Sequence, residues 1–251
     1  MSARITIGLF VGGKGSRMGG VAKGLLRAPS NGEDGRLPSA PGGGGTGIAQ
    51  RDGETVIERR DGETLIARRD GETGIARRDG ETGIARRDGE TLIERLVRQC
   101  ARVAPGCTPI LVGPAAPYAA LALPQLDDKP SGIGPLGGLR ALLLRALADQ
   151  SEFALALACD LPFLDEATIS AIITPFSGVT RVPFVANRLQ PLAAAYAPLP
   201  ALHAVERSLA QGKHALMHVL DELGSELERV EFDAERALAL RDWDTPEDVR
   251  G

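Results

Sequence analysis

Apolar residues along this chain follow two rhythms. Short, nearly unbroken apolar runs stand at Ile5–Val11, Pro109–Val112, Phe153–Ala158, Val179–Val185 and Leu192–Tyr196. Runs of that length suit strands, and Phe153–Ala158 (FALALA) suits a central strand buried on both faces. Between the runs the period lengthens to that of a helix. Leu139, Leu142, Leu143 and Leu147 form one stripe over 136–148, and Leu92, Leu96, Val97 and Cys100 form another. Shorter helices are expected over 168–173 behind an Asp165 cap, over 202–209, over 215–220, and near Tyr118. Alternation of strand and helix predicts an α/β fold. The expected form is an open, mostly parallel, Rossmann-like three-layer sheet with helices on both faces. Such sheets bind ligands beyond the carboxyl ends of their strands.

One stretch breaks the alternation. Pro29 to Gly47 is rich in Gly, Pro and Ser and reads as linker. Five copies of a nine-residue unit, RDGETxIxR, then begin at Arg51, Arg60, Arg69, Arg78 and Arg87. Each unit offers one constant apolar position and one variable one, too little for a stacked core. An odd period also sends successive copies to opposite sides of a helix or strand. The expectation is a long, disordered, solvated insertion, residues 31–86, within a single domain spanning 1–251. Without it roughly 195 residues remain, which suits one α/β domain.

Composition narrows the function classes. A net charge of −4 and 4% aromatic residues argue against a nucleic-acid surface. No window has the length and apolarity of a membrane span, and no signal-peptide pattern opens the chain. Cys100, Cys107 and Cys159 show no metal spacing, and an odd number argues against a disulfide framework. A cytoplasmic protein is expected.

The chemistry concentrates in GLFVGGKGSRMGGVAKGLL, Gly8 to Leu26. The first strand runs into a turn with glycines at 12, 13, 15, 19 and 20, which lets backbone N–H groups approach an anion closely. Arg17 and Lys23 add full positive charges, so a polyphosphate is the natural occupant. The spacing fits neither the P-loop nor the dinucleotide fingerprint. Further along, Asp160 follows the FALALA strand directly, at the carboxyl end where such a sheet places its site. It is the first candidate for magnesium, which takes one or two carboxylates and completes its shell with phosphates and water. Asp242, before the helix-start pattern Asp244-Thr-Pro-Glu, is a second metal candidate. No Ser-His-Asp or Cys-His arrangement is evident.

The string GGKGSRMGG followed by Lys23-Gly-Leu, with Cys159-Asp160-Leu-Pro162 and Gly134-Pro-Leu-Gly-Gly, resembles the signatures of the MobA-like nucleotidyltransferases, and most nearly those of molybdenum-cofactor guanylyltransferases. That resemblance covers nearly the whole chain outside the insertion. It implies transfer of a nucleoside monophosphate from GTP, or another nucleoside triphosphate, to molybdopterin or another phosphorylated acceptor. It implies magnesium as cofactor, and other proteins of molybdenum-cofactor synthesis as partners. Carried onto this chain, it implies nucleotide binding by Phe10, Val11, Gly12, Gly13, Gly15, Lys23, Asp127 and Asp160, with Asp128 the alternative to Asp127. Arg17, Lys23 and Asp160 would act on the phosphates, with Asp160 and Asp242 on the metal. Gln190-Pro191-Leu192 and Gly212-Lys213-His214 fall where relatives bind the second substrate. The chain departs from the guanylyltransferase pattern at Ala22, where an acid is usual, at Gly113-Pro114, where an asparagine is usual, and at Asp242. Cytidylyl transfer, a sugar-phosphate or phospholactate acceptor, and nucleotide binding without catalysis are the competing readings.

Overall fold

The structure is a computed structural model that describes residues 4–12, 22–29, 48–51, 54–58, 64–67 and 90–243. The chain divides into two compact units, Met1–Pro29 with Glu90–Asp248, and Ser30–Gly89 with Val249–Gly251. The larger unit opens with β1 (Ile5–Phe10). The smaller contributes β2 (Ile48–Arg51), β3 (Glu54–Glu58) and β4 (Thr64–Ala67). The larger unit continues with α1 (Leu92–Val103), β5 (Ile110–Val112), β6 (Gln125–Leu126), α2 (Pro135–Ala148), β7 (Phe153–Ala158) and α3 (Glu166–Ile173). It closes with β8 (Thr180–Val185), β9 (Arg188–Leu189), β10 (Ala193–Tyr196), α4 (Pro198–Ala210), α5 (Leu216–Leu223), β11 (Leu227–Glu231) and α6 (Ala234–Ala239).

The main sheet has the order β11-β8-β10-β7-β1-β5-β6, with β9 paired to β8. β1 runs parallel to both β5 and β7. β10 runs antiparallel to β7 and β8, so the sheet is mixed, though mostly parallel around β1. The chain leaves β1 through α1 to reach β5, then returns through α2 to β7 on β1's other side. The strand order reverses at β1, which marks the crevice above its carboxyl end as the place for a ligand.

Alternation along the strands sorts the core into two layers. Ile7, Leu9, Phe153, Leu155 and Leu157 face α1 and α3, against Ile93, Leu96, Cys100, Ile169 and Ile172. Phe10, Val112, Ala154, Ala156 and Ala194 face α2 and α4, against Leu136, Leu139, Leu142 and Leu143. The second layer uses small strand residues, so α2 lies close to the sheet. A Cβ on Gly8 would come within 2.7 Å of Leu142, and one on Gly138 within 2.7 Å of Val112. The predicted α2 stripe holds for Leu139, Leu142 and Leu143, but Leu147 is 36% exposed. Ala146, also at helical spacing from Leu142 and Leu143, takes the inward position instead. β11 and α6 were not expected. The β11 sequence, LERVE, is charge-interrupted and lies at the sheet edge, where apolar periodicity is weak.

In the smaller unit β2, β3 and β4 pair as an antiparallel meander. Arg51 pairs with Glu54, and Thr55 with Ala67.

Within the larger unit, the segments on either side of residues 30–89 meet. Ala28 donates its N–H to the Glu90 carbonyl at 2.9 Å, and Leu92 donates to the Leu26 carbonyl at 2.9 Å. Arg27 and Thr91 form an antiparallel bridge. Thr91 then caps α1 in a reciprocal box with Glu94.

Candidate functional site

Three strand ends build the rim of the crevice. The Val11 N–H donates to the Val112 carbonyl at 3.1 Å, and the Phe10 carbonyl accepts from the Cys159 N–H at 3.2 Å. Phe10 and Val11 are buried, so those two residues serve the sheet, and the chain leaves it at Gly12. Gly12 faces Gly113 across the top of β1 and β5. Gly113 has φ +100°, and a Cβ there would sit 3.4 Å from the Gly12 backbone. Gly13, Gly15 and Arg17 lie outside the described residues.

Lys23 opens a 3-10 turn, Lys23–Leu25, and its Nζ donates to Asp160 Oδ2 at 3.0 Å. Both side chains are largely but not wholly covered, at 17% and 23% exposure. Asp160 sits two residues past the end of β7, as its position after FALALA predicted. Its own carbonyl accepts the Trp243 N–H at 3.0 Å, which brings the backbone of the Asp242 segment to the same strand end. Trp243 is buried and meets Phe163 edge-on, fixing that approach. Two residues far apart in sequence, the cation at 23 and the carboxylate at 160, thus meet at the carboxyl rim.

The contacts that hold this pair were not read from the sequence. Gly24 donates its N–H to the Tyr118 hydroxyl at 3.2 Å. Arg95, from α1, donates to the Pro162 carbonyl at 3.2 Å and to the Pro29 carbonyl. One guanidinium thereby ties the segment after Lys23 to the segment after Asp160. A buried tyrosine in a chain with only two was a usable signal, because its hydroxyl must find a partner. The Arg95 contacts are to backbone carbonyls, which leave no trace in side-chain pattern.

The two acids after β6 have different surroundings. Asp127 is exposed and accepts a hydrogen bond from Gln125 Nε2 at 3.3 Å. Asp128 is partly buried and turns toward the start of α2. Its Oδ1 would lie 3.0 Å from a Cβ on Gly138 and 3.8 Å from one on Gly113. Burial pushes the Asp128 carboxyl above its ordinary range, and the neighbouring Asp127 charge adds to that. Gln190-Pro191-Leu192 also reaches this rim. The Leu192 carbonyl accepts the Ala158 N–H at 2.7 Å, at the end of β7. Lys213 and His214 are exposed after α4.

Among the described residues no three His, Cys, Asp or Glu side chains gather into a self-contained metal cage. The hard oxygen donors of Asp160, with Asp242 close in the chain to its backbone partner Trp243, fit magnesium only with substrate phosphates completing the shell. All three cysteines are free, and no described helix is long and apolar enough to cross a membrane.

A model of the MobA-like NTP transferase domain matches residues 74–227, more than half of the chain. The chain belongs to the MobA-like NTP transferase family. The match begins after Lys23, so the glycine-rich segment 8–26 stands outside it. A probable molybdenum cofactor guanylyltransferase of Opitutus terrae is 30% identical over 130 residues, 51% of this chain and 64% of that protein. The chain therefore spans less than two thirds of that relative's length. The fold is similar to that of molybdopterin-guanine dinucleotide biosynthesis protein A from Archaeoglobus fulgidus. The TM-score is 0.59 at 15% identity, covering 98% of this chain and 95% of that one. A structure of an Aquifex aeolicus protein is similar at TM-score 0.52 and 21% identity, over 61% of this chain and 79% of that one. At these identities the structural likeness concerns the fold.

Proposed function

We propose that this protein moves a nucleoside monophosphate from a nucleoside triphosphate, GTP, to the phosphate of molybdopterin, releasing pyrophosphate. The observation that carries the reading is the Lys23–Asp160 pair, 3.0 Å apart above the switch point of the sheet. A cation and a carboxylate held together at that rim are the minimum set for a triphosphate with its counter-ion. The family supports the class of reaction, and the description of the Opitutus terrae relative as a probable molybdenum cofactor guanylyltransferase favours GTP and molybdopterin.

In this reading the triphosphate lies across Gly12 and Gly113, where two facing glycines leave room for a close approach. A magnesium ion held by Asp160, with Asp242, would neutralise charge on the phosphates. Lys23 turns from Asp160 to the phosphate oxygens and offsets the charge that develops as the bond to pyrophosphate breaks. Arg17 and the amides of Gly13 and Gly15 share that task. An oxygen of the acceptor phosphate forms the new bond to the α-phosphorus while the α–β bridging bond breaks, and pyrophosphate leaves. Positioning and electrostatics suffice, since a phosphate oxygen needs no strong base to attack. Asp127 or Asp128 contacts the nucleoside. The inward turn of Asp128 favours it as the residue that shapes the floor, and Asp127 as the one that meets solvent and ligand.

The test is pyrophosphate release with GTP, CTP, ATP and UTP, each with magnesium, with and without molybdopterin. Release with GTP that requires molybdopterin is expected. Release with CTP alone among the four would replace the base and keep the mechanism. No release with any of them would overturn the reading.

A further inference from the structure

Lys23 reaches Asp160 from a turn only three residues long, and something must hold that turn in place. Gly24, the next residue, donates its N–H to the Tyr118 hydroxyl at 3.2 Å. Tyr118 is 2% exposed and lies in the 3-10 helix Ala116–Leu121, beyond the carboxyl end of β5. Cys159, which immediately precedes Asp160, packs against the same glycine. Gly24 therefore lies between Tyr118 and the chain neighbour of Asp160. A Cβ on Gly24 would meet Tyr118 Cε1 and Oη at 3.0 Å and Cys159 Cβ at 3.3 Å, so the three groups are in contact with no slack. A thiol and a phenol in a buried cluster suggest chemistry of their own. Burial instead pushes the Cys159 thiol up to about 12 and the Tyr118 phenol higher still, so both remain protonated donors at neutral pH.

We propose that Tyr118 is a positioning residue for nucleotidyl transfer: its hydroxyl accepts the Gly24 N–H and holds that glycine against Cys159, which sets the reach of Lys23 to Asp160. This rests on the function proposed above. The phenol touches neither substrate nor metal in that account. It acts by fixing where two charged side chains begin.

The conservative variant Tyr118→Phe keeps the ring and removes the oxygen. Two measurements on the full-length protein read the outcome. The first is the rate of Lys23 acetylation by a water-soluble acylating reagent, followed by peptide mass spectrometry. The second is the kcat and KM of magnesium-dependent pyrophosphate release. Loss of one buried hydrogen-bond acceptor predicts about a fivefold rise in Lys23 acetylation and about a tenfold fall in kcat, with KM for nucleotide within about twofold. A residue that merely stabilised the fold would lower the melting temperature and leave both readouts unchanged below it. Should Tyr118→Phe fail to fold, Gly24→Ala disturbs the same contact from the turn and predicts the same rise in Lys23 acetylation. Unchanged Lys23 acetylation in the folded variant overturns the proposal. A wild-type protein that releases no pyrophosphate would overturn the functional reading instead, and the Lys23 rates would still decide this one.

Discussion

Asp160 and Lys23 meet at one point, yet the chain brings them there by different means. Asp160 rides on β7, a six-residue strand paired along its length with β1 on one side and with β10 on the other. Lys23 stands in a three-residue turn, between a glycine-rich segment and residues 30–89. Its turn belongs to no sheet. It is fixed by scattered contacts: Gly24 to Tyr118, Pro29 to Arg95, and the backbone pairing of Leu26–Ala28 with Glu90–Leu92. A strand supplies position through many backbone bonds at once, whereas this turn takes it from a few contacts with distant parts of the chain. The two charged groups should therefore differ in how they can be disturbed.

The largest effect is expected at Asp160 itself. Asp160→Ala removes the metal candidate and the carboxylate that Lys23 meets at 3.0 Å. We expect a loss of about a thousandfold in turnover with little loss of the β7 core, measured as pyrophosphate release beside thermal unfolding. Lys23→Ala should cost about a hundredfold, because one charge at the developing negative charge is lost while the backbone donors remain. Lys23→Arg should recover only part of this, since a planar fork does not replace a mobile point charge.

Arg95→Ala sharpens the comparison. It deletes the guanidinium that joins the Pro29 and Pro162 carbonyls, and leaves those carbonyls to find other donors. The expected cost is about 1–3 kcal/mol in stability by denaturant unfolding. Activity should fall through Lys23 rather than through Asp160, seen as a raised Lys23 acetylation rate.

Replacing residues 30–89 with a short Gly-Ser link should have a smaller effect. The flanking segments already meet at Leu26–Ala28 and Glu90–Leu92, so closing the gap demands little rearrangement. Cooperative unfolding should persist, and kcat should change by less than about threefold. Loss of folding would show that the repeats belong to the core.

The smallest effect concerns pH. The Arg98 hydrogen bond to Glu90 holds that carboxyl below its ordinary value of 4.5. A lowered folded value means the Glu90–Arg98 contact stabilises the closing bridge above pH 4.5 and loses that contribution as pH falls through the folded value. Glu90→Gln should therefore lower stability slightly at neutral pH and flatten the acid limb of the profile, the difference from wild type vanishing below the folded value.

What could be read from the sequence follows the same division. Strand-borne features were legible because apolar runs encode burial directly: β1, β5 and β7, and with them the place of Asp160, came out within a residue or two. Helix α2 was legible too, except that helical spacing alone could not choose Ala146 over Leu147 for the inward position. Lys23 was found by motif, but the means of its fixation was not. Tyr118 lies 95 residues from Lys23, and Arg95 acts on backbone carbonyls that no sequence pattern marks. The difference in burial between Asp127 and Asp128 depends on how the chain turns after β6 to meet Gly138, which is a matter of close packing.

The most direct test of the central claim is magnesium-dependent pyrophosphate release from GTP with molybdopterin, by the wild type beside Asp160→Asn, with nucleotide binding measured on both. Asp160→Asn keeps the shape of the side chain and removes its charge. The account predicts release by the wild type that requires the acceptor, and a variant that still binds GTP but does not turn it over. Equal release by the two proteins would contradict it.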